Sequence, residues 1–206
     1  MTDAVADIQA RKKLLRRQMR QKRLGLSRHQ QRQAARALFK RLKASREFRF
    51  SRHITFTIAR DGEISPRLLL AEALRRGKRC YLPVMSRVGE ERLTFRRITK
   101  EFIGLRATNR FAIPEPVRAR ACPRRALSLV LLPLVAFDAD CNRLGMGKGF
   151  YDHSFAFLRR GHRQRPLLLG LAHECQKVDA LELNPWDVPL HGIVTDRAWY
   201  KAPKKG

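Results

Sequence analysis

The chain has 206 residues, 44% of them hydrophobic, with 45 Lys and Arg against 18 Asp and Glu for a formal net charge of +27. That length and apolar content suit a globular protein with a real core, most simply one domain spanning 1–206. No apolar stretch reaches membrane-spanning length, the opening Met1-Thr-Asp-Ala-Val-Ala-Asp7 lacks a secretory core, and Cys80, Cys122, Cys141 and Cys175 form no CxxC pair, so the expectation is a cytoplasmic protein with reduced thiols and no membrane partner.

In chain order, the first elements are two basic helices, about 7–24 and 28–46, with Ser27 as the N-cap between them. Leu15, Met19 and Leu26 fall at helical spacing, so the cationic stretch 11–23 is an amphipathic helix rather than a disordered arm. Arg11 and Arg23 are expected on its watery side. Residues 53–59 predict a strand. A helix follows over 65–76, with Pro66 at its first position and Gly77 as its stop. Residues 79–85 predict the next strand, and the alternation in 93–98 predicts an antiparallel edge strand. Pro114-Glu-Pro116 marks a loop. The apolar run 127–137 predicts a long buried strand, 166–172 and 193–195 supply further strands, and 150–160 predicts a helix. Strands alternating with helices imply an α/β fold: a layered domain with a mostly parallel sheet flanked by helices, preceded by the two basic N-terminal helices.

The most informative segment is Arg143-Leu-Gly-Met-Gly-Lys-Gly-Phe-Tyr-Asp152. It sits between the long apolar strand and a helix start, a place suited to phosphate. Gly145, Gly147 and Gly149 let the backbone approach an oxyanion and permit positive φ. Arg143 and Lys148 add charge, and Asp152 is placed to hold a metal carried by the phosphates. The glycine spacing is not that of a dinucleotide fingerprint, and Phe150 stands where a P-loop needs Ser or Thr. The cations, the aromatic pair and the acid together favour a nucleotide-phosphate site. Lys12 and Arg16, four apart on one helix face, are able to clamp a polyphosphate. The competing reading is a basic nucleic-acid-associated protein on a nucleotide-binding α/β fold, and the charge by itself implies nonspecific nucleic-acid affinity.

The ordered motifs resemble the 5-formyltetrahydrofolate cyclo-ligase family, also called methenyltetrahydrofolate synthetases. They are Lys12-x-x-x-Arg16, Asp61-Gly-Glu-Ile-Ser65, Gly77-Lys-Arg-Cys-Tyr-Leu-Pro83, Ile113-Pro-Glu-Pro116, Pro133-Leu-Val-Ala-Phe-Asp138 with the glycine segment, Ala172-His-Glu-Cys-Gln176, Trp186-Asp187 and Val194-Thr-Asp196. The resemblance implies a monomeric ATP- and Mg²⁺-dependent ligase that cyclises 5-formyltetrahydrofolate to 5,10-methenyltetrahydrofolate, releasing ADP and phosphate. It implies that Lys12, Arg16, Arg143, Leu144, Gly145, Met146, Gly147, Lys148, Gly149, Phe150 and Tyr151 hold ATP, that Arg143 and Lys148 act on the transferring phosphate, and that Asp152 holds Mg²⁺. Glu63 and Tyr151 are the folate-side residues. His173 and Gln176 are further candidates for the pocket wall, and Asp138 is either a ligand-end carboxylate or a turn former. Phe150 stands where many members have Tyr, and Leu134 where many have Gly.

Overall fold

In the computed structural model, residues 2–85, 91–99, 106–107, 114–116, 119–159 and 165–203 are described. Three helices come first: α1 (Thr2–Leu24), α2 (Arg28–Ala44) and the short α3 (Arg46–Arg49). Ser27 caps α2 as expected. Its Oγ accepts from the Gln30 N–H while Gln30 Oε1 accepts from the Ser27 N–H, which satisfies two otherwise orphaned donors. Next come β1 (His53–Thr55), α4 (Arg67–Arg75), β2 (Arg79–Met85), β3 (Leu93–Ile98), β4 (Arg106–Ala107), β5 (Pro114–Glu115), β6 (Ala121–Cys122), β7 (Leu129–Pro133), β8 (Ala136–Phe137), β9 (Arg143–Leu144), α5 (Phe150–Phe155), β10 (Leu167–Leu171), β11 (Gly192–Val194) and β12 (Trp199–Lys201).

The main sheet has eight strands in the order β12-β11-β10-β7-β1-β2-β3-β6. Its five central strands, β11 to β2, are mutually parallel, and antiparallel strands flank them at both ends. The reason lies in the run 129–133, which is apolar on both faces. Leu129 and Leu131 enter a core with Leu38, Leu42 and Leu69, from α2 and α4. Val130 and Leu132 enter another with Phe155 and Leu158 on the opposite side. A strand buried on both sides needs helices over both faces, which gives the layered α/β arrangement. Helix α1 docks separately, with Leu15 and Met19 against Val135, Ala136 and Leu144. Fully burying a side chain such as Met19 stabilises by about 1.5–3 kcal/mol, so this contact fixes where the basic helix lies.

Several expected boundaries change. The 127–137 run does not form one strand. Pairing with β10 ends at Pro133, the chain turns at Leu134, and residues 136–137 join a separate hairpin with β9. Side chains replace the ladder there: the Leu134 carbonyl accepts from Arg23 Nη1 and Gln176 Nε2. Strand 53–59 stops at Thr55, since beyond the Phe56 N–H, which donates to the Tyr81 carbonyl, the chain opens toward a cleft. β3 is antiparallel as expected but is not an edge, because β6 pairs along it. Pro114-Glu115 pairs with β4 instead of forming a loop; a proline is tolerated at the first position of such an edge strand. The helix from Phe150 is α-helical only to Phe155 and tightens to a 3-10 turn over Ala156–Leu158; its expected end at Arg160 lies outside the described residues, as does Ile113. Pro66 is the N-cap of α4, one position earlier than expected.

Candidate active site

A cleft of about 760 Å³ opens at the C-terminal ends of β1, β2 and β7, where open α/β sheets bind ligands. All the residues expected to bind ATP, folate or metal line it, whereas the further candidates Asp138, His173 and Gln176 do not. Lys12 and Arg16 come from α1, and Glu63 from the segment after β1. Arg143, Leu144, Gly145, Met146, Gly147, Lys148, Gly149, Phe150, Tyr151 and Asp152 run from β9 into α5.

At one end the glycine segment and α1 meet. Arg16 Nε donates to the Gly145 carbonyl at 2.8 Å, and a Cβ on Gly147 would lie 3.4 Å from the Arg16 guanidinium carbon. Gly147 and Gly149 hold φ of 93° and 63°, a region that glycine enters without strain, whereas Gly145 does not. Burial pushes the Arg16 pKa down, so its charge is poorly hydrated. Helix α5 is only six residues long, so its dipole is small and the side-chain cations carry most of the positive field.

Those cations differ in what they already touch. Arg143 is a held cation: Nη1 donates to the Val188 carbonyl and Nη2 to Asp152 Oδ1, which also accepts from the Val188 N–H at 2.9 Å. Lys12, only 7% exposed, and Lys148, exposed on the loop, have no hydrogen-bond or ion-pair partner among the described residues.

Glu63 lies in a different environment. Its Oε2 accepts from the Arg60 N–H at 3.2 Å, and its Oε1 lies 3.7 Å from Arg23 Nη2. Burial raises the Glu63 pKa, partly offset by Arg23. Tyr151 shares this wall, and burial together with the Glu63 charge drives its phenol pKa upward, so it stays a neutral donor.

Arg23 is the main correction. Instead of facing water it is 1% exposed, because its acceptors are carbonyls contributed by distant segments. Nε donates to the Asp61 carbonyl at 2.8 Å and Nη1 to the Leu134 carbonyl at 3.3 Å. Arg11 is exposed as expected. Asp138 is a turn former: its carboxylate accepts from the Asp140, Asn142 and Leu181 N–H groups and from Asn142 Nδ2. His173 and Gln176 sit behind the cleft wall. The His173 ring contacts the Gly62 carbonyl at 3.1 Å, and burial holds its pKa below the usual histidine value. Sequence reasoning assigned no site role to Arg20, Trp186 and Asp187, which also line the cleft. For the last two, the closing Trp186-Asp187 motif was the available signal.

A family model described as the 5-formyltetrahydrofolate cyclo-ligase family matches residues 8–196. The chain belongs to that family. It is therefore an ATP-using ligase. A 5-formyltetrahydrofolate cyclo-ligase of Haemophilus influenzae is 34% identical over 182 residues, covering 87% of this chain and 95% of the relative. One from Escherichia coli is 32% identical over 185 residues, with 88% and 98% covered. Among solved structures, the 5,10-methenyltetrahydrofolate synthetase of Aquifex aeolicus superposes with a TM-score of 0.76 at 28% identity, over 95% of this chain and 94% of the other. No helix among the described residues of this cyclo-ligase family member is long and apolar enough to cross a membrane.

Proposed function

We propose that this cleft cyclises 5-formyltetrahydrofolate to 5,10-methenyltetrahydrofolate with ATP, and that the glycine-segment end holds the triphosphate while the Glu63 end holds the pterin. The formyl oxygen attacks the γ-phosphorus, the bond from that phosphorus to the β–γ bridging oxygen breaks, and ADP leaves. N10 then attacks the activated formyl carbon, the carbon–oxygen bond breaks to release phosphate, and the N10 proton is lost as the amidinium forms. Phosphoryl transfer of this kind requires positioning and charge neutralisation rather than a protein nucleophile.

The carrying observation is Lys12, buried to 7% exposure on the cleft wall and without a partner among the described residues. Buried charges are normally paired, and a bound polyphosphate completes this one. In this reading Lys12 and Arg16 hold the triphosphate, and Lys148 swings onto the transferring phosphate. Arg143, locked to Asp152 and Val188, offers a fixed positive field. Met146 and Leu144 frame the loop, and Phe150 packs under it. Glu63 accepts from the pterin's amino and ring N–H donors, with the Tyr151 hydroxyl beside it.

Mg²⁺ fits as a guest of the phosphates rather than of a protein cage. Among the described residues no group of three or more acidic, His or Cys side chains converges as a metal site, while Asp152 and Asp187 both line the cleft. Mg²⁺ is commonly held by one or two carboxylates plus substrate phosphates, so Asp152, with Asp187 as its neighbour across Val188, would hold it. When bound, the ion neutralises charge on the transferring group.

The lining residues all sit on or beside one main sheet, which fits a single domain, and a monomer acting in the cytoplasm is proposed with it. Nucleic-acid affinity is proposed only as a nonspecific, salt-sensitive consequence of the +27 charge. The deciding experiment mixes purified protein with 5-formyltetrahydrofolate, ATP and Mg²⁺ and follows methenyl absorbance. ATP-dependent product is expected; its absence from folded protein at saturating substrates would overturn the reading.

A further inference from the structure

We infer that Arg23 is a positioning residue that couples the two ends of the cleft, tying helix α1, which carries Lys12 and Arg16, to the segment that carries Glu63. The inference rests on the assignment of triphosphate and pterin ends made above.

Arg23 lies seven residues beyond Arg16 on the same helix, about 10 Å along its axis. Its guanidinium is spread over three targets. Nε holds the Asp61 carbonyl at 2.8 Å, Nη1 holds the Leu134 carbonyl at 3.3 Å, and Nη2 faces Glu63 Oε1 at 3.7 Å. Nη2 is buried and makes no hydrogen bond among the described residues. Buried donors are rarely left unbonded, and this one sits within ion-pair range of the folate-side carboxylate without occupying it. Glu63 is thus kept beside a positive charge, with Oε2 held by the Arg60 N–H and Oε1 turned to a ligand's N–H groups.

The backbone reinforces the link. A Cβ on Gly62, at φ +75°, would lie 2.8 Å from the Arg23 carbonyl oxygen, so the segment runs directly over the end of α1. Gln31 Nε2 braces the crossing by donating to the Arg23 carbonyl at 3.2 Å and to the Gly62 carbonyl at 3.0 Å. Arg20 Nη2 adds a 3.0 Å bond to Asp61 Oδ2. A triphosphate that fixes α1 through Lys12 and Arg16 therefore also fixes residues 61–63. Each ligand then meets a segment the other has already ordered, which is a coupling between sites and is reciprocal. Lysine cannot replace the guanidinium, because one ammonium does not span three separate acceptors.

The test uses full-length protein with Mg²⁺. The Kd of a non-hydrolysable ATP analogue is measured by calorimetry with and without saturating 5-formyltetrahydrofolate. Wild type is expected to show about tenfold tightening, within the usual range of such couplings, and the analogue alone should slow hydrogen exchange at amides 61–63. In Arg23→Lys the factor should fall to about one to twofold, the exchange protection should disappear, and KM for the folate should rise more than kcat falls. Should that variant not fold, Gln31→Met, altering a half-exposed brace, is expected to lower the factor about threefold. Independent binding of the two ligands to wild type, or full coupling in whichever variant folds, overturns the inference alone. Failure of either ligand to bind wild type overturns the assignment of the two ends and the inference with it.

Discussion

The two ends of the cleft are built on opposite plans. Around the glycine segment, Lys12 and Lys148 have no partners among the described residues. Around Glu63, nearly every polar group is committed: Asp61 to Arg20 and Arg23, Gly62 to Gln31 and His173, and Glu63 to the Arg60 N–H. The difference follows from the ligands each end is proposed to take. A triphosphate brings its own negative charge, so protein counter-charges at that end would compete with it. A pterin brings neutral N–H donors, and recognising them requires an acceptor fixed in position beforehand.

Asp152→Asn should give the largest effect, because it crosses the boundary between held and free charge. It removes the anion that pairs Arg143, whose side chain is 7% exposed. Breaking a buried pair costs about 3–5 kcal/mol, so melting temperature should fall together with turnover, the latter by at least about 10²-fold. Wild-type activity with an unchanged Mg²⁺ requirement would shift the metal to Asp187. Lys148→Ala comes next: with no partner to lose, its melting curve should not move, yet kcat should fall on the order of 10²-fold. A fall in stability instead would mean the loop is not the open end. Lys12→Ala should mainly raise KM for ATP, by about tenfold, since it holds the nucleotide before and during transfer alike.

The Glu63 end is sharpened by pH. Its pKa is raised from the ordinary 4.5, so on acidification the carboxylate is lost earlier than a free glutamate would be, and KM for the folate should rise about fivefold as an ionic acceptor becomes a neutral one. Its effect on folding runs the other way. A carboxyl whose folded pKa is raised binds more protons in the folded state, so its contribution to stability falls as pH rises through that window. A folate KM and a Glu63-dependent melting temperature that both rise as pH falls identify Glu63, weaker binding accompanying greater stability, and Glu63→Gln should abolish both. The smallest effect is expected at Arg11, exposed and paired only with exposed carboxylates. Arg11→Ala should change stability by less than about 0.5 kcal/mol and leave kinetics alone.

What the sequence discloses depends on how far each cause lies along the chain. The Ser27 cap and its Gln30 partner are three residues apart, and the glycine segment, its cations and Asp152 fit within ten, so both were readable. The parallel core strands were readable too, because apolarity on both faces is a property of the strand itself. The fate of Arg23 was not. In a helix of alternating Arg and Lys nothing local separates it from Arg11, and its acceptors at Asp61 and Leu134 lie 38 and 111 residues away. The break after Pro133 was hidden for the same reason: a ladder's end depends on where the neighbouring strand stops, and apolarity continues past it.

The crowding at Gly170 has a consequence for how such a chain can change. A Cβ there would lie 2.7 Å from Leu134 Cδ2, 3.0 Å from Leu190 Cδ1 and 3.1 Å from Ile193 Cγ1. Leu134 therefore occupies room that exists only while residue 170 has no side chain. Alanine at 170 requires the Leu134 side chain to turn aside or shorten and Leu190 and Ile193 to give way by a few tenths of an ångström, so its cost is set by how freely these three side chains repack together. The size of residue 170 is thus set jointly by three side chains drawn from two separate stretches of the chain.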